Sequence, residues 1–301
     1  MKIRVGSRGS KLAIAQAQIL LESVKEKHKE FEYEIKIIKT TGDKIQDVSL
    51  DKIGDKGVFV KEIEESLIEG TIDLAVHSMK DMPSAIPEEL MFSAIPKRED
   101  PRDAIILNYG RKSLDELPMG AVIATGSKRR EYQLLRYRPD IKIVPIRGNI
   151  DTRIKKMYEQ NLDGLVIAAA GLNRLKIKSD IKQNIVLLDE ELMLPAPAQG
   201  ALGLEIRKKD KELDDILRLV EDYESAVQIR AERGFLKEIG GSCHLPIGAL
   251  CKVEGENILL VGLLGNADGK ILVKRKIEGK AEDAEILGIK LARIIKGEMS
   301  K

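Results

Sequence analysis

Residues 74–83, LAVHSMKDMP, set an apolar run directly against a series of reactive side chains. Leu74, Ala75 and Val76 give way to the imidazole of His77, the hydroxyl of Ser78, the thioether of Met79, the ammonium of Lys80 and the carboxylate of Asp81. Met82-Pro83 then stops any continuation, because proline lacks an amide hydrogen and restricts the residue before it. The pattern is that of a buried parallel strand opening into a polar loop. Open α/β sheets place their ligand chemistry just beyond the carboxyl ends of such strands. Asp81 beside Lys80 is therefore either a working carboxylate or a solvated loop pair, and this stretch alone leaves both open.

The arginines narrow the choice of ligand. Arg8, Arg129, Arg130, Arg147 and Arg174 fall at strand ends or in the turns after them, and Arg153 lies one turn into the helix after Arg147-Gly-Asn-Ile. Ser127-Lys-Arg-Arg130 follows Thr125-Gly126 and opens a helix, where free backbone amides and the helix dipole favour anions. A guanidinium adds a planar fork that pairs with carboxylate or phosphate. One arginine alone is usually solvated. Six at matching positions predict an anion-lined cleft. No GxGxxG follows the first strand and no GxxxxGK[ST] occurs, which shifts the anion from phosphate toward carboxylate. Lys52 and Lys56, in a long polar loop, either close over that ligand or are solvated.

Gly240-Gly-Ser-Cys-His-Leu-Pro-Ile-Gly248 is the third chemical feature. A buried cysteine is most often a small core residue. Glycines on one side and Leu-Pro on the other leave Cys243 in a loop, where its thiolate could act as a nucleophile. Cys251, inside an apolar strand, reads as core. His244 next to Cys243 does not by itself make a metal site, and the two cysteines lack CxxC spacing, so no metal ligand is expected.

These residues need a scaffold of strands and helices. Residues 3–5, 33–39, 72–76, 91–95, 104–107, 122–125, 141–146, 165–169 and 201–206 read as strands. Helices are expected over 11–27, with Ser10 as N-cap, and over 60–69, 128–138 and 151–161. The alternation implies parallel sheet covered on both faces. Residues 41–57 form a loop longer than usual, of the kind that is either a lid or disordered. Pro96-Lys-Arg-Glu-Asp-Pro101 and Leu194-Pro-Ala-Pro-Ala-Gln-Gly200 read as two crossings between lobes. The expected fold class is α/β: two lobes with a cleft between them, plus a small C-terminal α+β domain. The lobes are expected at 1–97 with 197–216 and at 98–196, and the third domain at 217–301. That domain should hold a helix over 221–239, strands over 247–253, 257–264 and 271–276, and a helix over 282–295.

Length and charge bound the rest. The 301 residues can bury a sizeable core. The formal net charge of +2, from 51 basic and 49 acidic side chains, argues against nucleic acid or a membrane surface as partner. The start MKIRVGSRGS reads as strand and turn, not signal peptide, and no apolar run is long enough to span a bilayer. A soluble cytoplasmic protein is expected, and nothing demands more than a monomer.

Taken together, these segments closely resemble the porphobilinogen deaminase (hydroxymethylbilane synthase) family. The matching stretches are Ser7-Arg-Gly-Ser10, Gly57-Val-Phe-Val-Lys-Glu62, Ala75-Val-His-Ser-Met-Lys-Asp81, Arg98-Glu-Asp-Pro-Arg-Asp103 and Thr125-Gly-Ser-Lys-Arg-Arg130. Arg147-Gly-Asn149 with Arg153, Ala170-Gly-Leu-Asn-Arg-Leu175, Ala198-Gln-Gly200 and the Cys243 turn continue the match in order. The family's fold has two lobes like those of periplasmic binding proteins, plus a small third domain. The resemblance implies that Cys243 carries a dipyrromethane cofactor through a thioether and that Asp81 is the catalytic carboxylate. It implies that four porphobilinogens are joined head to tail with loss of ammonia, and that hydrolysis releases hydroxymethylbilane. Lys80, Ser10, Ser127, Arg129, Arg130, Arg174 and Gln199 are then expected on the cofactor. Arg8, Arg147, Arg153, Lys52 and Lys56 are expected on the substrate, porphobilinogen. Each pyrrole unit carries an acetate and a propionate, which is what the arginines would pair with.

The competing reading is a non-catalytic anion-binding protein of the same two-lobed fold, either a solute receptor or a regulator's effector domain. A secreted receptor calls for a signal segment and a regulator for a helix-turn-helix; the sequence shows neither, and a binder has no use for Cys243.

Overall fold

The computed structural model describes residues 2–44, 60–177, 184–240 and 245–300. The expected loop at 41–57 lies mostly outside these residues, apart from a helical turn at Thr41–Lys44.

Two five-stranded sheets share one plan. In the first, β1 (Lys2–Ser7), β2 (Glu32–Ile37), β3 (Leu74–Ser78), β4 (Leu90–Phe92) and β10 (Leu202–Arg207) lie in the order β2-β1-β3-β10-β4. In the second, β5 (Asp103–Leu107), β6 (Val122–Ala124), β7 (Lys142–Val144), β8 (Gly164–Ala168) and β9 (Asn184–Leu187) lie in the order β7-β6-β8-β5-β9. Three parallel strands head each sheet, and the fourth runs against them: β10 is antiparallel to β3, and β5 to β8.

The expected parallel sheet holds for these three strands of each sheet and is corrected for β5 and β10. The chain leaves the first sheet after β4 and returns as β10, so β5 and β10 each begin at the edge where their parallel neighbours end. The register pairs Asp103 with Ala168 and Leu202 with Ser78. The start of each incoming strand thus sits beside the end of a parallel one, and the two crossings run side by side, the Glu99 amide donating to the Gly200 carbonyl at 3.2 Å.

Helices cover the sheets as their apolar stripes require. Helix α1 (Lys11–Lys27) starts at Ser10, whose hydroxyl accepts from the Ala13 amide at 3.2 Å, and buries Leu20, Leu21 and Val24 on β1, β3 and β10. Helix α2 (Lys61–Ile68) covers the other face with Ile63 and Leu67. In the second lobe α3 (Lys128–Tyr137) packs on one face, while α4 (Ile150–Glu159) and α5 (Ala169–Arg174) pack on the other. The short strand β9 and helix α5 had no separate signal in the sequence, because the apolar run at β9 is too brief to show a period and α5 continues the apolar run of β8.

Beyond β10, α6 (Lys211–Arg218) returns to the first core through Leu213 and Leu217. Helix α7 (Tyr223–Ile239) starts at Asp222, which accepts from the Ser225 amide at 2.9 Å. It ends at Gly240 with φ +74°, a left-handed cap that glycine adopts without strain. The meander β11 (Ile247–Glu254), β12 (Asn257–Gly265), β13 (Leu272–Lys280) and helix α8 (Ala284–Met299) complete a third core with α7, centred on Phe235, Leu260 and Leu291.

Candidate active site

Several of the described residues singled out in the sequence come together because they lie at strand ends or in the turns after them. β3 passes from Ser78 into a 3-10 turn, Met79–Asp81, whose Met79 amide donates to the Ala201 carbonyl at 3.1 Å. Met79 and Met82 are buried on either side, while the intervening Lys80 is half-buried and Asp81 is exposed.

Facing this turn, the first turn of α3 supplies Arg129 and Arg130, both buried. Neither is a free anion hook. Asp103, fully buried at the start of β5, accepts from Arg129 Nη1 at 2.6 Å and from Arg130 Nε and Nη2 at 3.0 and 2.7 Å. Gln199 Nε2 adds a fourth bond to Asp103 at 3.0 Å. Burial alone would raise the Asp103 pKa, but the two guanidinium charges hold it far below the usual carboxylate range.

Gln199 ties this cluster to the Met79–Asp81 turn. Its Oε1 accepts from Lys80 Nζ at 3.4 Å, and its Nε2 also donates to the Pro101 carbonyl at 2.8 Å. Protein surrounds the Lys80 ammonium, and this desolvation lowers its pKa to about 8; Asp81 pulls the other way, and Arg130 adds to the fall. On α4, Arg153 Nε donates to the Gly148 carbonyl at 2.7 Å. Its pKa is lowered by burial and by Arg130 and Arg147, and Asp81 opposes them. Arg174 Nη2 donates to the Gly200 carbonyl at 2.6 Å, and burial lowers its pKa to about 10 against the attraction of Glu99.

The charge balance is uneven. Among the described residues, Lys80, Arg129, Arg130, Arg147, Arg153 and Arg174 lie in this region. The carboxylates acting on them are Asp81, Asp103 and Glu99. Burying like charges together is unfavourable unless a polyanion joins them. Ser127, at the N-cap of α3, gives no side-chain cap; its amide donates to Thr125 Oγ1 at 3.2 Å. Ser10 is occupied as the α1 cap, and Arg8 and Arg147 are half-buried at the cleft-side ends of their strands. Cys243, Lys52 and Lys56 lie outside the described residues.

Three residues that matter to the site carried no assigned role in the sequence reading: Asp103, Arg98 and Glu232. Glu232, fully buried on α7, receives Arg98 Nη1 and Nη2 at 2.7 and 3.0 Å, the Ala198 amide at 2.6 Å and the Cys251 amide at 2.9 Å. Arg98 Nε also donates to the Gln199 carbonyl at 2.8 Å. Both crossings are thereby fixed to the C-terminal domain. An acidic residue opening an otherwise apolar strand, as in DAIIL, and a glutamate on the buried stripe of α7 were the signals available. Cys251 is the buried core thiol expected; burial pushes its pKa far up, with Glu232 adding to the rise.

Comparison with known proteins identifies the family. The family model "Porphobilinogen deaminase, dipyromethane cofactor binding domain" matches residues 3–215, and "Porphobilinogen deaminase, C-terminal domain" matches residues 226–297. A porphobilinogen deaminase of Clostridium novyi is 56% identical over 300 residues, covering 100% of both chains. One from Clostridioides difficile is 51% identical, covering 98% of this chain and 97% of its own. Among solved structures, a methionine binding protein aligns at 17% identity and a TM-score of 0.46 over 75% of this chain and 93% of that one. With both family models matched in order and identity above half along the full length, the chain belongs to the porphobilinogen deaminase family.

Proposed function

We propose that the chain joins four porphobilinogen molecules head to tail, releasing ammonia at each addition, and then releases hydroxymethylbilane by hydrolysis. The observation that carries this reading is the gathering of cations, two of them buried on Asp103, around one exposed carboxylate, Asp81. Among the described residues, six cations against the carboxylates of Asp81, Asp103 and Glu99 fit a cofactor and substrate that bring acetate and propionate groups, two per pyrrole unit. Attached through Cys243, the dipyrromethane supplies a free pyrrole carbon on which the chain grows.

The protein's own residues account for the remaining work. Arg129, Arg130, Arg174, Lys80, Ser10, Ser127 and Gln199 hold and orient the cofactor's carboxylates. Arg129 and Arg130 each keep some donors beyond those committed to Asp103, and a guanidinium has five in all. Arg8, Arg147 and Arg153, with Lys52 and Lys56, receive the incoming substrate. Asp81 faces the reacting pyrrole. Loss of ammonia leaves a cationic substrate carbon, and a fixed carboxylate stabilises that charge and relays protons between amine and ring. No described helix is long and apolar enough to cross a membrane, and one chain supplies both walls of the cleft. These features support a cytoplasmic enzyme that acts as a monomer. The grouping of β1–β4 with β10, of β5–β9, and of β11–β13 supports domains at 1–97 with 197–216, at 98–196 and at 217–301.

Asp81→Asn keeps the size and loses the charge. The expected result is a fall in turnover of at least a hundredfold, with the cofactor still bound and the melting temperature unchanged. Turnover like that of the unmodified chain would remove Asp81 from this role.

A further inference from the structure

Helix α7 touches the catalytic turn as well as the crossings. Ile229, buried, packs in one cluster with Met79 and Met82, the two residues that bracket Lys80 and Asp81. Four residues along the helix, Arg233 lies on the same face. Its Nη2 donates to the Pro83 carbonyl at 2.9 Å and approaches the Ser84 carbonyl at 3.4 Å. Its guanidinium carbon stands 5.4 Å from the Phe92 ring centroid, and the Glu205 carboxylate attracts it. Glu205 in turn lies 2.9 Å from Nε2 of His77, on the strand that leads into the turn.

We propose that Arg233 is a positioning residue: from the C-terminal domain, its guanidinium fixes the chain just after Asp81 and so sets where that carboxylate stands in the cleft. The argument rests on three contacts converging on one short segment. Met79 and Met82 fix its depth by packing, the Ala201 carbonyl holds the Met79 amide, and Arg233 holds the two carbonyls that follow Met82. Without the last contact, the segment keeps its apolar anchors but can pivot about them. Arg233 also lies seven residues before Gly240, about 10 Å along the helix at 1.5 Å per residue. Where Gly240 ends, the segment bearing Cys243 begins. Among the described residues, Arg233 Nη1 and Glu205 Oε1 are buried without a hydrogen-bond partner.

The inference rests on the reading of Asp81 as the working carboxylate, and its test separates the two. Arg233→Gln and Arg233→Lys are made in the full chain, alone and with Asp81→Asn. Intact mass reports cofactor loading, and hydrogen exchange reports the amides of Met79 and Met82. The expected result for Arg233→Gln is normal loading, a kcat lower by ten- to a hundredfold and a KM within twofold. Exchange at Met79 and Met82 should be at least tenfold faster. Arg233→Lys, which keeps a cationic donor, should recover part of kcat, and Arg233→Gln should add nothing in the Asp81→Asn background. Unchanged kcat, unchanged exchange, or losses that multiply in the double variant would overturn the proposal. Full turnover by Asp81→Asn alone would instead remove the role of Asp81, and the exchange result would still decide whether Arg233 holds the turn.

Discussion

Asp103→Asn is the substitution whose effect can be worked most fully from the structure. The side chain is completely buried and accepts four hydrogen bonds, three of them from guanidinium groups that are themselves buried. Asparagine preserves the shape but removes the charge and turns one oxygen into a donor. That donor then faces either Arg129 Nη1 or the set from Arg130 and Gln199. Removing one partner of a buried ion pair costs about 3–5 kcal/mol, because the other charge is left uncompensated. Here two cations lose their counter-ion together, so the loss should lie near the upper end, about 5 kcal/mol. That is a large part of a typical domain's stability of roughly 5–15 kcal/mol. Urea unfolding followed by circular dichroism measures it; because a multidomain chain need not unfold in one step, the transition of the second lobe is the relevant one. Arg129→Gln provides the cross-check. It should cost at least ~2 kcal/mol less in the Asp103→Asn background than alone, since a repelling buried charge is then removed. A loss below about 1 kcal/mol for Asp103→Asn would mean the two arginines do not depend on this carboxylate, and the reasoning would fail.

Two further outcomes follow from the same coordinates. The Glu64 pKa is raised to about 7, first by desolvation and then by the nearby Glu205, with His77 opposing. An acid whose folded pKa lies above its unfolded one stabilises the fold fully below the unfolded value and loses that contribution as pH rises through the folded value. Stability should therefore fall between about pH 4.5 and 7 by on the order of 1–2 kcal/mol, after allowing for partial exposure of the group. Denaturation midpoints of Glu64→Gln should lack that fall, and a parallel decline in the variant would contradict it. Gly200, at φ +89°, closes the second crossing; a Cβ there would lie 2.3 Å from the Glu99 carbonyl oxygen, a backbone atom. Gly200→Ala should lower stability by more than ~2 kcal/mol and weaken cofactor retention, as read by melting temperature and intact mass.

Much of the site was legible because its residues sit where strand ends put them. The break from Val76 into Ser78–Asp81, the Ser127–Arg130 helix opening and the Ala198-Gln-Gly200 crossing all carry local signals, and the structure joins them through Gln199. Ser10 was legible for the same reason, as an N-cap followed by a helical apolar stripe. The partners of these residues were not legible. Nothing near Arg129 or Arg130 in sequence announces Asp103, 26 and 27 positions away, since that pairing is made by β5 entering antiparallel beside β8. The direction of β5 and β10 was hidden for a similar reason. A strand's own pattern records which faces are buried, not the direction in which the chain arrives. Glu232 reads locally as one more charge on a helix, and only the closure of α7 onto both crossings gives it Arg98.

The most direct test of the account is the intact mass of the purified full-length chain, set beside that of Cys243→Ser. The account predicts an excess equal to two porphobilinogen-derived units on the unmodified chain, lost in the variant together with activity. A bare polypeptide mass from cells well supplied with porphobilinogen, or an adduct that survives Cys243→Ser, would contradict it.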